Sequence, residues 1–155
     1  MFEWLEMTSV ALWVGESLWG YPIMLGLHAV GLAIVVGIFV MRDLRLMGFF
    51  EGISYESLDS LRKLAWTGFV INAVSGCFLF VSQATMFIDS TPFLLKIAMI
   101  FVAAIFAAVI QNKSHAEAVQ WDANGAAAGS VRTLAMLSTA LWMGAIISGR
   151  LVAYI

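Results

Sequence analysis

Four uninterrupted apolar stretches, near residues 22–41, 64–87, 92–111 and 131–154, constrain this chain more than any other feature. A helix that crosses the hydrocarbon core of a bilayer needs about 20 apolar residues, and in lipid its backbone groups must be satisfied within the helix itself. Each stretch therefore reads as one membrane span. The spans use about half of the 155 residues and leave room for one small membrane domain. Hydrophobic residues make up 62% of the chain and charged residues 12%, against roughly 45–50% and 25% in soluble domains. A water-facing surface cannot be built from so few charges. The expected fold class is an all-α integral membrane four-helix bundle.

Ahead of the first span, residues 1–18 contain no Lys or Arg and carry Glu3, Glu6 and Glu16, the wrong charge for a signal-peptide n-region. Glu3, Glu6, Ser9 and Glu16 fall on one arc of a helix, while Trp4, Met7, Val10, Ala11, Val14 and Leu18 face largely the other way. That pattern predicts an N-terminal interfacial amphipathic helix, retained in the mature protein. Gly20-Tyr21-Pro22 breaks the chain, with proline suited to a new helix start. Arg42-Asp43-Leu44-Arg45 closes the first span as an interfacial anchor with an internal ion pair, and residues 51–63 read as a loop or short surface helix. Asp89-Ser90-Thr91-Pro92 is a helix stop and restart, with Thr91 as N-cap. Residues 112–130 are the most soluble-looking segment, and Asp122-Ala123-Asn124-Gly125 has turn chemistry.

Basic residues divide sharply between the two membrane sides. Arg42, Arg45, Arg62, Lys63, Lys113 and Arg132 flank the loops after spans one and three, whereas the N-terminal segment and the Asp89 turn hold none. The positive-inside rule then places both termini on the outer side. A net charge of −2 without a basic block gives no nucleic-acid signal. The single cysteine, Cys77, excludes an intramolecular disulfide and a cysteine-cluster metal site.

Converting position to depth at about 1.5 Å per residue brings one polar group from each span to nearly the same level. His28 lies about 9 Å below the outer end of its span, Gln83 and Lys96 about 6 Å, and Arg150 about 7 Å. Ionisable residues in hydrocarbon are costly and mark functional sites by default. Lys96 and Arg150 have no carboxylate at their depth, since Glu16 and Asp89 lie at or beyond the interface. An anion would complete the layer; the plainer reading has both cations snorkelling to headgroups. For His28 the plainer reading is a hydrogen bond to a neighbouring helix, and the functional one is metal ligation, since haem iron is often held by imidazole.

Haem b joins these observations: His28 on the iron, the macrocycle between apolar helices, and propionates toward Lys96 and Arg150. The other histidine, His115, lies beyond the inner end of span three, too far to share an iron. Met99, about 10 Å down span three on the face of Lys96, the same histidine of a second copy, or an open position could complete the coordination. Copper is the competing metal, with His28, Met24 and Met99 or Met143 as soft donors. Asn72, Ser75, Gly76, Gly144, Ser148 and Gly149 read as helix-packing residues, and Trp13, Trp19, Tyr21, Trp66 and Tyr154 as an aromatic belt. No phosphate loop, Ser-His-Asp arrangement, zinc motif or intramembrane carboxylate pair is present. Any enzymatic role is limited to redox chemistry.

The segments Trp19-Gly20-Tyr21-Pro22, Leu27-His28-Ala29-Val30-Gly31, Gly37, Arg42-Asp43-Leu44-Arg45-Leu46 and Pro92-Phe93-Leu94-Leu95-Lys96 resemble a family of short four-helix bacterial membrane proteins of uncharacterised function. The chain is also distantly similar to the membrane domain of the copper-resistance D family, where a histidine on the first helix is followed by glycines. That resemblance implies a bacterial inner-membrane protein handling a metal or redox cofactor, with His28 the residue carried over. The further intramembrane histidines of a copper-transport module or two-haem cytochrome are absent. The expectation is a membrane b-type haem protein, a homo-oligomer or subunit of a membrane complex, exchanging electrons with a quinol or periplasmic partner. The alternatives are a copper-handling or small-solute membrane protein and a non-catalytic structural subunit.

Overall fold

The computed structural model describes residues 2–124, 127–152 and 154, and every regular element among them is a helix. In chain order these are α1 (Glu3–Glu6), α2 (Ser9–Glu16), α3 (Gly20–Leu46), α4 (Tyr55–Ser60), α5 (Arg62–Ser82), α6 (Ala84–Asp89), α7 (Thr91–Asn124) and α8 (Gly129–Leu151). Helices α3, α5, α7 and α8 are long and apolar enough to cross a membrane. Only 22%, 22%, 17% and 28% of their most apolar windows is buried within the chain. So much outward apolar surface needs a hydrocarbon solvent, and the protein is a multi-pass membrane protein.

The long helices alternate in direction. α3 packs on α5, α7 packs on α8, and α3 joins the two pairs through α8. The α3–α5 seam is set by small residues: a Cβ on Gly31 would lie 2.6 Å from the Asn72 backbone nitrogen, and one on Gly68 2.6 Å from Ile34 Cγ2. With no hydrophobic drive between helices in lipid, such close approach is what supplies van der Waals contact. Val35, Val36, Phe39, Ala65, Ala103, Ala107 and Trp142 fill the centre.

At the end bearing the basic residues, Arg42 Nε and Nη2 donate to Asp43 Oδ1 at 3.0 and 2.7 Å, and Nη1 donates to the Ala107 carbonyl at 3.2 Å. The expected internal ion pair is present, and it is buried rather than spread on an interface. Arg45 donates to the Ile53 carbonyl at 2.6 Å and the Tyr55 hydroxyl at 3.0 Å. It thereby folds the connection between α3 and α4 back under the bundle. Gly48 (φ 102) and Phe50 (φ 54) turn the chain there.

Three elements differ from the expected boundaries. The segment read as a soluble loop after span three is helical through Asn124, and α7 runs 34 residues, about 51 Å against a hydrocarbon thickness of about 30 Å. The buried positions Ala103, Ala107 and Ile110 continue as Ser114, Ala118 and Trp121, and this stripe packs on Leu46, Tyr55, Val131 and Ala135. Packing outweighs the turn chemistry of Asp122, whose carboxylate instead accepts the N–H groups of Tyr55 and Glu56 at 2.9 and 3.3 Å and starts α4. Gly125, the end of the expected turn, lies outside the described residues.

Secondly, α5 stops at Ser82, five residues short of the expected end at Phe87; Gln83 leaves helical geometry at φ −146, ψ 42. The chain restarts as α6, and the rings of Phe80, Phe87 and Phe93 stack at centroid distances of 5.0–6.3 Å. Thirdly, the expected single N-terminal helix is two, α1 and α2, with Thr8 capping the second. Ala11 and Val14 are buried against the bundle, while Trp4, Met7, Val10 and Leu18 remain exposed. The Glu6 carboxylate ties this segment to α6, accepting the Thr85 N–H at 2.8 Å and its hydroxyl at 2.6 Å.

Gly31→Leu is expected to destabilise the protein by about 3 kcal/mol or more, because a side chain there meets backbone that cannot yield. Gly37→Leu, at a position with open space around it, is expected to be nearly neutral in the same thermal denaturation in detergent. The Thr85 hydroxyl and N–H hold the Glu6 carboxyl below the usual carboxylate range. A lowered pKa means that the tether is complete above the ordinary glutamate value and is lost as pH falls through the lowered one. A spin label on Met7→Cys in a Cys77→Ser background should gain mobility on acidification, and Glu6→Gln should remove that dependence.

Candidate functional site

In the half of the bundle away from the basic end, α3 carries His28 against α5. His28 Nδ1 lies 2.9 Å from the backbone carbonyl of Asn72 and 3.4 Å from Ser75 Oγ. The Asn72 side-chain Nδ2 donates back to the His28 carbonyl at 2.8 Å. Asn72 Nδ2 also lies 3.3 Å from Nδ1, but its shorter bond is to the His28 carbonyl, and the Asn72 carbonyl at 2.9 Å can only accept. The closest contact of the neutral ring is thus met by a proton on Nδ1, which leaves Nε2 its lone pair. No described residue hydrogen-bonds Nε2. The imidazole has room because α5 presents a glycine: a Cβ on Gly76 would lie 3.1 Å from His28 Cε1. The ring is half-buried.

Lys96 enters the same half of the bundle from α7. Its stem crosses α8 at a second glycine, where a Cβ on Gly149 would lie 3.2 Å from Lys96 Cδ and 3.5 Å from Nζ. The ion pairs among the described residues are Arg42–Asp43 and Asp59–His115, so half-buried Lys96 has no carboxylate beside it there. Met99, one turn deeper on α7, presses its sulfur onto α8, 2.7 Å from where a Cβ of Gly144 would be. That contact is close packing of a soft side chain.

The structure puts His28 and Lys96 in the same half of the bundle, each seated at a glycine, and separates the other two members of the layer. Arg150 is exposed, its guanidinium donating to the Tyr154 hydroxyl at 2.7 Å and lying 5.1 Å from that ring's centre. This is the snorkelling geometry. Gln83 marks the break between α5 and α6. Of the methionines considered for copper, Met143 is exposed and Met24 half-buried on the helix of His28 itself. His115 pairs with Asp59 at 2.9 Å near the basic end.

Asn72 and Ser75 are the site residues that sequence reasoning classed as packing groups. A mid-span Asn four positions before a glycine was the available signal, but its partner lies 44 residues away. Together these groups form a fixed imidazole with one free nitrogen, in the same half as a cation, at the edge of an apolar bundle. Such a ring can ligate a metal through Nε2, because a second-shell carbonyl on the other nitrogen fixes both tautomer and orientation. Among the described residues no three of His, Cys, Asp and Glu gather to hold a bare ion. Two shallow surface depressions, one along Arg62–Ile71 and one at Arg45, Glu51, Gly52, Ser54 and Asp122, include neither His28 nor Lys96.

Asn72→Ala is expected to lower stability by about 0.6–1.7 kcal/mol, the range for interhelical hydrogen bonds in membranes. The exposed Asn112→Ala should leave the melting temperature unchanged. The chain matches no protein-family model, and neither the curated proteins nor the solved structures include one similar enough to assign it to a family.

Proposed function

We propose that the protein binds one b-type haem per chain through His28 and exchanges electrons at the membrane half that holds it. What carries the reading is the orientation of one ring: Nδ1–H committed to the Asn72 carbonyl, Nε2 without a partner among the described residues. A bare copper ion would need several protein donors; among the described residues no three His, Cys, Asp and Glu side chains gather, the Met99 sulfur packs on α8 at Gly144, and Met143 is exposed. Haem brings four ring nitrogens and requires only one or two axial ligands from the protein. That difference favours haem over copper.

When bound, the group would supply a one-electron iron couple. His28 would hold the metal, Asn72 would orient the imidazole, and Lys96 would balance a propionate. Arg150, held on Tyr154, would serve the headgroup region instead. Since His28 is half-buried, a second copy or another subunit would complete the enclosure. Any further ligand to the metal would come from that neighbour or from Met99. The six basic residues at the opposite end support a bacterial plasma-membrane orientation with both termini outside, which directs exchange to a quinol or an outer-side partner.

A second reading is favoured by the reciprocal bonds between His28 and Asn72, which by themselves join α3 to α5. It makes the chain a structural subunit of a larger membrane complex. The detergent-purified protein discriminates the two through its absorption spectrum and iron content. The haem reading expects a Soret band, bands that sharpen on reduction, about one iron per chain, and loss of all three in His28→Ala. Asn72→Ala should weaken haem binding about 10–100-fold, as for other outer partners of a ligand. A colourless wild type, or His28→Ala with full haem content, would overturn it, and a fixed co-purifying partner with no cofactor would favour the structural subunit.

A further inference from the structure

At the opposite end of the molecule from His28, a groove of about 510 Å³ runs along α5, lined by Arg62, Lys63, Trp66, Thr67, Val70 and Ile71. These positions follow the i, i+1, i+4, i+5, i+8, i+9 pattern of one helix face. Over about 13 Å of helix the lining passes from two cations, through an indole and a hydroxyl, to bare aliphatic surface. Three of the other four cations of this end are already engaged. Arg42 is held by Asp43, Arg45 by Ile53 and Tyr55, and Arg132 by the Met47 carbonyl at 3.1 Å. Neither Arg62 nor Lys63 has an ion-pair partner among the described residues.

We propose that this groove is a binding site for an anionic phospholipid, with its headgroup phosphate between Arg62 and Lys63 and an acyl chain along Trp66, Val70 and Ile71. Charge complementarity selects an anionic headgroup over a zwitterionic one, each basic residue near a membrane surface strengthening the attraction. The gradient from charge to aliphatic surface along one helix matches the same gradient along a lipid. Trp66 is braced edge-on by Phe39 and Phe69 at 5.7 and 5.5 Å, so the groove wall is fixed before lipid arrives. The proposal is independent of the haem reading, since it shares no residue with it.

The test is native mass spectrometry of the purified protein with equimolar phosphatidylglycerol and phosphatidylcholine. The wild type should retain phosphatidylglycerol preferentially, and Arg62→Gln and Lys63→Gln should each reduce that preference about five-fold. Val70→Trp, which fills the groove and leaves both cations, should also lower retention, whereas Lys113→Gln, at the same end but on α7, should not. The proposal is overturned by a wild type without preference, by Lys113→Gln losing as much as Arg62→Gln, or by Val70→Trp retaining lipid fully.

Discussion

In hydrocarbon a polar side chain has no water to fall back on, and the reciprocal hydrogen bonds between His28 and Asn72 answer that constraint for two of the most polar groups inside the spans. They form only because α3 and α5 meet backbone to backbone at Gly31 and Gly68. Any larger residue there would push Asn72 out of reach of its partner. The seam therefore does two things: it fixes the relative rotation of the helices, and it commits one imidazole nitrogen while leaving the other uncommitted. Under the proposed function, chemistry at His28 would follow from helix packing, through a hydrogen bond that would exist for structural reasons alone.

The two halves of the bundle treat charge differently. At the basic end Arg42 and Asp43 neutralise each other at 2.7 Å inside the protein, and the long α7 carries α4 as a platform anchored by Asp122. At the His28 end, Lys96 is half-buried, with no carboxylate beside it among the described residues. Glycines on α5 and α8 seat the imidazole and the lysine stem, and α1 and α2 are tied across α6 through Glu6. The haem proposed above would therefore be held in the second half.

Much of this fold is written in hydropathy alone, since four apolar runs of bilayer length leave few options. The depth of each polar residue is equally legible, because rise per residue is constant. Rotation about the helix axis is harder, as nearly every residue of a span is apolar and the usual contrast between faces is lost. Arg150 illustrates the difficulty. Buried α8 positions recur at Ala135, Ser138, Trp142, Ala145 and Ser148, and a residue two places beyond Ser148 falls on the opposite side. The small residues of that stripe were the readable signal. The break at Gln83 has no proline or glycine to announce it, and the extension of α7 depends on contacts with α4 and α8 that only the folded chain supplies. The cap that Asp122 gives α4 joins residues 67 positions apart, beyond the reach of local turn rules.

The central claim is that α5 holds the His28 ring by Nδ1–H and leaves Nε2 with its lone pair. Nitrogen-15 NMR of the imidazole in cofactor-free protein reads this directly, with His115→Gln removing the other histidine signal. The account predicts a protonated Nδ1 and an unprotonated, pyridine-type Nε2 near neutral pH, and loss of that pattern in favour of tautomer exchange in Asn72→Ala. A ring protonated on Nε2, or one already exchanging in the wild type, would contradict it.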